Sequence, residues 1–115
     1  NLRERVVKIQ CGVWPRGPVP DDYHEPVGGD VPILLLSGEL DPVTPPEYDD
    51  QVAEHFDNAT HLIAPGQAHI VATRGCMGDI VSRFIIDGNA DNLETECMSQ
   101  MKPSPFFISL TGPTP

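Results

Sequence analysis

Basic residues and long apolar runs are both scarce in this sequence, and each shortage excludes a class of protein. Seven Lys and Arg residues stand against 17 Asp and Glu residues, for a formal net charge of −10. Because such a surface repels the phosphate backbone, we expect no nucleic-acid partner. The longest apolar run, Ile33 to Leu36 with its valine and proline neighbours, is far shorter than the roughly 20 residues that span a bilayer. We therefore predict no membrane-spanning segment and no membrane partner.

Cysteine is also scarce, and its spacing argues against a metal site. The three cysteines, Cys11, Cys76 and Cys97, include no C-x-x-C or other zinc-type pair, so a disulfide between two of them is the better interpretation. A disulfide favours an oxidising compartment. His24 lies in the acidic loop DDYHEP, but that spacing fixes no coordination geometry. We predict neither a metal nor a cofactor.

Residues 1–30 contain a helical pattern followed by a dense run of prolines and glycines. Leu2, Val6 and Ile9 recur at helical spacing between charged residues, which predicts a short amphipathic helix that ends before the C-G-V-W-P stretch. The segment that follows is too rich in Pro and Gly for regular structure, and we predict an irregular connector there. Its one large side chain, Trp14, is expected to be a packing residue.

Residues 31–102 carry the pattern of a small parallel α/β core. The run from Val31 to Ser37 is continuously apolar, which is typical of a parallel strand covered on both faces. A helical stretch and a second apolar run, Thr60 to Ala64, follow it. Strand, helix and strand in this order predict a βαβ unit, and hence an α/β fold with an incomplete sheet and flanking helices. We expect His61 in the second strand and His55 before it to be structural or surface residues.

The helix between these strands has a start signal and one apolar stripe. In the T-P-P-E stretch, Thr44 can cap the helix and Glu47 completes a capping box. Asp49, Asp50 and Glu54 are expected to face water, while the apolar stripe packs on the sheet. The stripe consists of Tyr48, Val52, Ala53 and Phe56.

The clearest helix of the sequence follows Cys76. Its apolar residues stand at i, i+3, i+4, i+7 and i+8, and Gly88 supplies a stop. These residues are Met77, Ile80, Val81, Phe84 and Ile85. The segment DNLETECMSQM is expected to make another short helix. Residues 103–115 are predicted to be an extended tail with Phe106 and Phe107 as anchors.

Asp41 and His69 each follow a predicted strand by one tight loop. One helix and one strand separate them, so both lie at the carboxyl edge of the sheet, where functional groups gather in parallel α/β folds. Gly38 lets the backbone bend before Asp41, and Pro42 stiffens the far side. At this edge Asp41 would orient His69 and stabilise its imidazolium, as in a serine-hydrolase triad. Two plainer roles stay open: an Asx turn for Asp41 and a hydrogen-bonded loop position for His69.

The nucleophile of such a triad is missing from this sequence. In α/β-hydrolases the order is Ser, Asp, His, and the serine lies in a G-x-S-x-G elbow. No two of the ten glycines stand four residues apart, so none of the five serines has that elbow. The chain begins with Asn1 and without signal-peptide features. We therefore expect it to be the C-terminal portion of a longer protein, with the serine upstream, and predict that it is inactive alone.

Several stretches carry a family resemblance: LLLSGELDPVTPP, NATHLIAPGQAHIV, FIIDGNADNLETEC and the C-x-x-W-P segment at Cys11. Together they resemble the TAP-like C-terminal domain of bacterial α/β-hydrolases related to tripeptidyl and prolyl aminopeptidases. The similarity runs from Cys11 to Phe107. In that family the Asp of the first stretch and the His of the second are the triad acid and base, which implies these roles for Asp41 and His69. Ala68 replaces the glycine that usually precedes the histidine.

The resemblance implies a secreted or periplasmic serine peptidase that releases short peptides from free N-termini. Its partners would be a peptide substrate and the upstream portion that bears the serine. The resemblance also implies a Cys76–Cys97 disulfide, which would contribute about 3 kcal/mol through loop-closure entropy, and Cys11 would pair upstream. Two alternatives stay open: a lipase or esterase, and a non-catalytic binding module of the same fold. Because two strands leave sheet edges unpaired, we also predict that the isolated chain self-associates.

Overall fold

The computed structural model describes residues 1–103, 105 and 106. Its elements, in chain order, are α1 (Leu2–Val13), β1 (Ile33–Gly38), α2 (Pro46–Ala53), β2 (Ala59–Ala64), α3 (Met77–Asp87) and a 3-10 helix (Glu96–Gln100). Each lies where the sequence predicts an element of its kind, with ends that differ by a few residues. Phe107 of the predicted tail lies outside the described residues. Phe106 is 88% exposed, so the prediction that it anchors the tail is wrong.

The two strands form a parallel sheet, as the strand–helix–strand order predicts. Ile33 is in register with Ala59, and Gly38 is in register with Ala64. Because the register runs to the last residue of both strands, β1 and β2 end side by side. The loops that leave them therefore start at the same edge of the sheet.

One face of the sheet packs on a small apolar core. Leu34 and Leu36 of β1 and Leu62 of β2 point to this side and contact the buried core. That core consists of Ala64, Val71, Met77, Ile80 and Met98. Of the stripe predicted on α3, Met77 and Ile80 are buried, whereas Ile85 is 71% exposed. The helix ends at Gly88, whose φ of 68° is in the left-handed region that glycine adopts freely.

The other face of the sheet, which carries Ser37 and His61 among apolar residues, packs against α2, and here the orientation of the helix differs in part from the sequence-based prediction. Tyr48 and Val52 of the predicted stripe are 57% and 42% exposed. Asp49, expected in water, is instead half-buried and bonds Ser37, whereas Asp50 is 63% exposed, as expected, and also bonds His61 on the sheet. Because side chains alternate along a strand, Ser37 lies opposite the core face, and buried polar groups require polar partners.

The N-terminal segment differs from the sequence-based expectation in two respects. Helix α1 continues through Cys11 and Gly12 to Val13, and none of its residues is buried. Trp14 is 74% exposed, so the prediction that it is a packing residue is wrong within the described part of the chain. The connector that follows is irregular, as expected, apart from a bridge between Gly29 and Phe56.

Candidate active site

The loops that follow β1 and β2 dock directly on each other. The backbone N–H of Leu40 donates to the carbonyl of Gln67 at 2.8 Å. The backbone N–H of Gly66 donates to Oε2 of Glu39 at 2.7 Å. Two bonds between separate loops fix their relative position, so a side chain on one can be aimed at a side chain on the other.

Asp41 uses its two carboxylate oxygens for different tasks. Oδ1 accepts the backbone N–H groups of Val43 at 2.8 Å and Thr44 at 3.1 Å, which makes an Asx-type turn. Oδ2 accepts from Nδ1 of His69 at 2.8 Å and from the hydroxyl of Thr44 at 2.9 Å. The turn and the histidine contact were alternatives in the sequence, and the structure contains both.

The surroundings of Asp41 favour its ionised form. The side chain is buried, and burial raises the pKa of a carboxyl group. The hydrogen bonds from His69, from the backbone of Val43 and Thr44 and from the Thr44 hydroxyl outweigh that effect and hold the pKa of Asp41 well below its ordinary value of 3.8. Asp41 is therefore a carboxylate, and a carboxylate only accepts hydrogen bonds.

The acceptor role of Asp41 defines the tautomer of His69. Since Asp41 only accepts, Nδ1 of His69 carries the proton of their bond, and the neutral ring has its lone pair on Nε2. The side chain of His69 is 46% exposed. No hydrogen bond from residues 1–103, 105 or 106 reaches Nε2, so this atom is available as a base towards solvent or another part of the protein.

A comparison with protein families matches residues 3–97 to the family described as TAP-like protein. The chain belongs to the TAP-like family of α/β-hydrolases. This membership gives the chain a hydrolase context, and the matched range contains both docked loops. Comparison with curated proteins and with solved structures finds no significant match.

Thr44 is a residue of the TAP-like site that sequence reasoning missed. The capping box was assigned to it, but α2 starts one residue later than the box requires, with Pro45 as N-cap and no side-chain cap. The freed hydroxyl bonds Asp41 and lies 3.3 Å from Nδ1 of His69. The sequence did contain a signal for this bond, a threonine three residues after the aspartate. The helix-start pattern led instead to a capping role for the same threonine.

The remaining candidate residues lie outside this site. Cys76 and Cys97 form the disulfide that was predicted, joining the start of α3 to the 3-10 helix. Cys11 is exposed. His24 packs its ring edge-to-face with the neighbouring Tyr23.

Among the described residues, no group of three or more His, Cys, Asp or Glu side chains is arranged to hold a metal ion. None of the helices in that part of the chain combines the length and the apolar character needed to cross a membrane.

Proposed function

We propose that this TAP-like chain supplies the acid and the base of a Ser–His–Asp triad in a secreted or periplasmic serine peptidase. The observation that carries the proposal is the 2.8 Å hydrogen bond between Nδ1 of His69 and Oδ2 of Asp41. It joins the ends of neighbouring strands and leaves Nε2 as the basic nitrogen. This is the relation between acid and base that a triad requires.

The nucleophilic serine comes from a part of the protein outside the described residues. Each serine among those residues already has a hydrogen-bond partner elsewhere. Ser37 bonds Asp49, Ser82 donates to the Gly78 carbonyl, and Ser99 donates to the Glu96 carbonyl. None of them bonds His69. Because no serine of this chain lies in a G-x-S-x-G elbow, the upstream portion of the same polypeptide is the proposed source of the serine.

In the proposed reaction His69 acts as general base and then as general acid. Nε2 takes the proton of the serine hydroxyl as its oxygen attacks the peptide carbonyl. Asp41, which remains ionised, stabilises the imidazolium formed on His69. The same Nε2 proton then passes to the leaving amine, and a water molecule deacylates the serine by the same relay.

The substrate class and the compartment rest on two further observations. The D-P-V-T-P and G-Q-x-H stretches around Asp41 and His69 resemble those of aminopeptidases that release short peptides from free N-termini. The Cys76–Cys97 disulfide supports an oxidising compartment, which is consistent with secretion or periplasmic export.

The test uses the complete polypeptide that carries this chain, a fluorophosphonate probe and three substrates. These are a peptide with a free N-terminus, the same peptide acetylated, and a short-chain ester. We expect serine labelling and cleavage of the free peptide only. Asp41→Asn should lower kcat on the order of 10⁴-fold by favouring the wrong histidine tautomer.

His55→Gln is the matched control, because His55 is an exposed histidine outside the docked loops, and it should leave kcat unchanged. Hydrolysis of the ester alone would assign the protein to the lipase or esterase class. An absence of labelling and turnover would assign it to the binding modules. Full activity in a folded Asp41→Asn variant would overturn the triad.

A further inference from the structure

A second set of polar side chains connects β1, β2 and α2 behind the candidate active site. Ser37 of β1 donates its hydroxyl proton to Asp49 of α2. Nε2 of His61, on β2, lies 2.7 Å from the Ser37 oxygen. Nδ1 of His61 lies 2.7 Å from Oδ1 of Asp50. We call these four residues the α2 latch.

Each polar side chain of the α2 latch has a hydrogen-bond partner within it. Asp49 and Asp50, as carboxylates, only accept, and the single proton of Ser37 goes to Asp49. The Ser37 oxygen also contacts Nε2 of His61, and Asp50 contacts Nδ1 of the same ring. No buried side-chain nitrogen or oxygen in the described part of the chain lacks a partner.

The α2 latch spans the loop that carries Asp41. The chain leaves β1 after Gly38, one residue past Ser37, passes through Asp41 and enters α2 at Pro46. Asp49 and Asp50 lie in the first turns of that helix. The latch thus connects the two sides of the loop in two ways. Ser37 bonds Asp49 directly, and His61 links Ser37 to Asp50. Fixing both ends of a short loop restricts the positions that its centre can occupy.

We propose that the α2 latch is a positioning device for Asp41, with Ser37 and His61 as its central residues. This proposal rests on the proposed function, because it assigns the latch to the acid of that triad. The latch holds the Asp41 carboxylate at hydrogen-bond distance from His69 without contacting either the substrate or the ring of His69. A misplacement of about 1 Å in a catalytic group can lower the rate by up to about 100-fold.

The latch contains a serine, a histidine and aspartates, yet its burial excludes a second catalytic triad. Ser37 is 3% exposed, and its proton is committed to Asp49 rather than to the histidine. The side chain of His61 is 9% exposed. A peptide carbonyl has no access to the Ser37 oxygen in this arrangement, so the remaining role is the placement of α2 and its loop.

The test combines kinetics and NMR on the complete polypeptide with the variants Ser37→Ala, His61→Gln and Asp50→Asn. Asp50 is 63% exposed at its side chain, so its variant removes the negative charge of this link at an exposed position and keeps the shape of the side chain. We expect kcat to fall between about 10- and 100-fold at constant KM. The downfield Nδ1–H resonance of His69, which reports its bond to Asp41, should weaken. His55→Gln and Glu54→Gln, exposed positions at the end of α2, are the controls and should change neither.

The same variants placed in an Asp41→Asn background distinguish positioning from general destabilisation. If the latch acts through Asp41, His61→Gln should lower kcat no further in that background. A further loss of kcat in that background would overturn the proposal. So would an unchanged kcat together with an unchanged His69 resonance in folded Ser37→Ala and Asp50→Asn variants. If the resonance weakens but the polypeptide hydrolyses no substrate, the positioning role stands and the proposed function fails.

Discussion

Gly38 lies against the carbonyl group of Ala68 so closely that no side chain fits between them. A Cβ atom on Gly38 would lie 2.6 Å from the Gln67 carbonyl oxygen and closer still to that of Ala68. The loop carrying His69 therefore rests directly on the end of β1. The sequence suggested that Gly38 serves a sharp bend, but the structure shows that it serves this close approach.

We predict that Gly38→Ala separates the two loops. The methyl group would displace backbone atoms, which relax less readily than a flexible side chain, and overpacking of this kind costs about 1–3 kcal/mol. Denaturant unfolding should show this loss, and kcat should fall with the Asp41–His69 bond. Gly17→Ala is the matched control, because a Cβ there meets nothing within 4 Å. Equal stability of the two variants would contradict the close-approach argument.

Thr44 is expected to support Asp41 through its hydroxyl group. Thr44→Val keeps the shape but removes the donor to Oδ2, which is 2.9 Å away, so kcat should fall about tenfold. Thr44→Ser retains the hydroxyl and should keep most of the activity. Steady-state kinetics on both variants provide the measurement, and a similar loss in both would indicate that the methyl group, not the hydroxyl, matters.

The low pKa of Asp41 predicts how its contribution to stability depends on pH. A carboxyl group whose pKa is lowered by folding stabilises the native state above its ordinary pKa, and that stabilisation is lost as the pH falls through the folded-state pKa. The difference in unfolding free energy between the native protein and Asp41→Asn should be constant above about pH 5. It should shrink below the ordinary value of 3.8. A difference that already disappears near neutral pH would refute the assignment.

Ile70, directly after His69, has a strained backbone. Its φ of 64° lies in the left-handed region, which is unfavourable for a β-branched residue. Because its side chain is 67% exposed, Ile70→Gly relieves strain with little lost packing and should stabilise the protein by about 1 kcal/mol. Ile70→Val keeps the β-branch and should show no gain in Tm. A lower Tm for the glycine variant would mean that Ile70 contributes packing that outweighs its strain.

The Cys76–Cys97 disulfide is expected to stabilise the segment after α3. Cys76→Ser with Cys97→Ser should lower the unfolding free energy by about 3 kcal/mol through the larger entropy of the unfolded chain. Measured on this chain without the upstream portion, Cys11→Ser, at an exposed cysteine, is the control and should have little effect on the unfolding midpoint. A double variant as stable as the native protein would show that this bridge is dispensable.

Local pattern was sufficient to predict the elements and the meeting of Asp41 with His69. A continuous apolar run, a helical stretch and a second run define the order β1, α2, β2, and parallel strands carry the loops after them to one edge. The interior contacts of α2 were not predictable in the same way. Helical periodicity separates Tyr48 and Val52 from Asp49 and Asp50, but it does not decide which side meets the sheet.

The sequence by itself therefore determined the strands, their parallel connection, the positions of Asp41 and His69 at one sheet edge and a cysteine pair suited to bridging. Only the tertiary structure decided that Asp49 and Asp50 of α2 bond the sheet and that Gly38 accommodates the Ala68 carbonyl. The physical reason is that these features depend on groups distant in sequence. Ser37 and His61, on two different strands, create a polar surface that only Asp49 and Asp50 can satisfy.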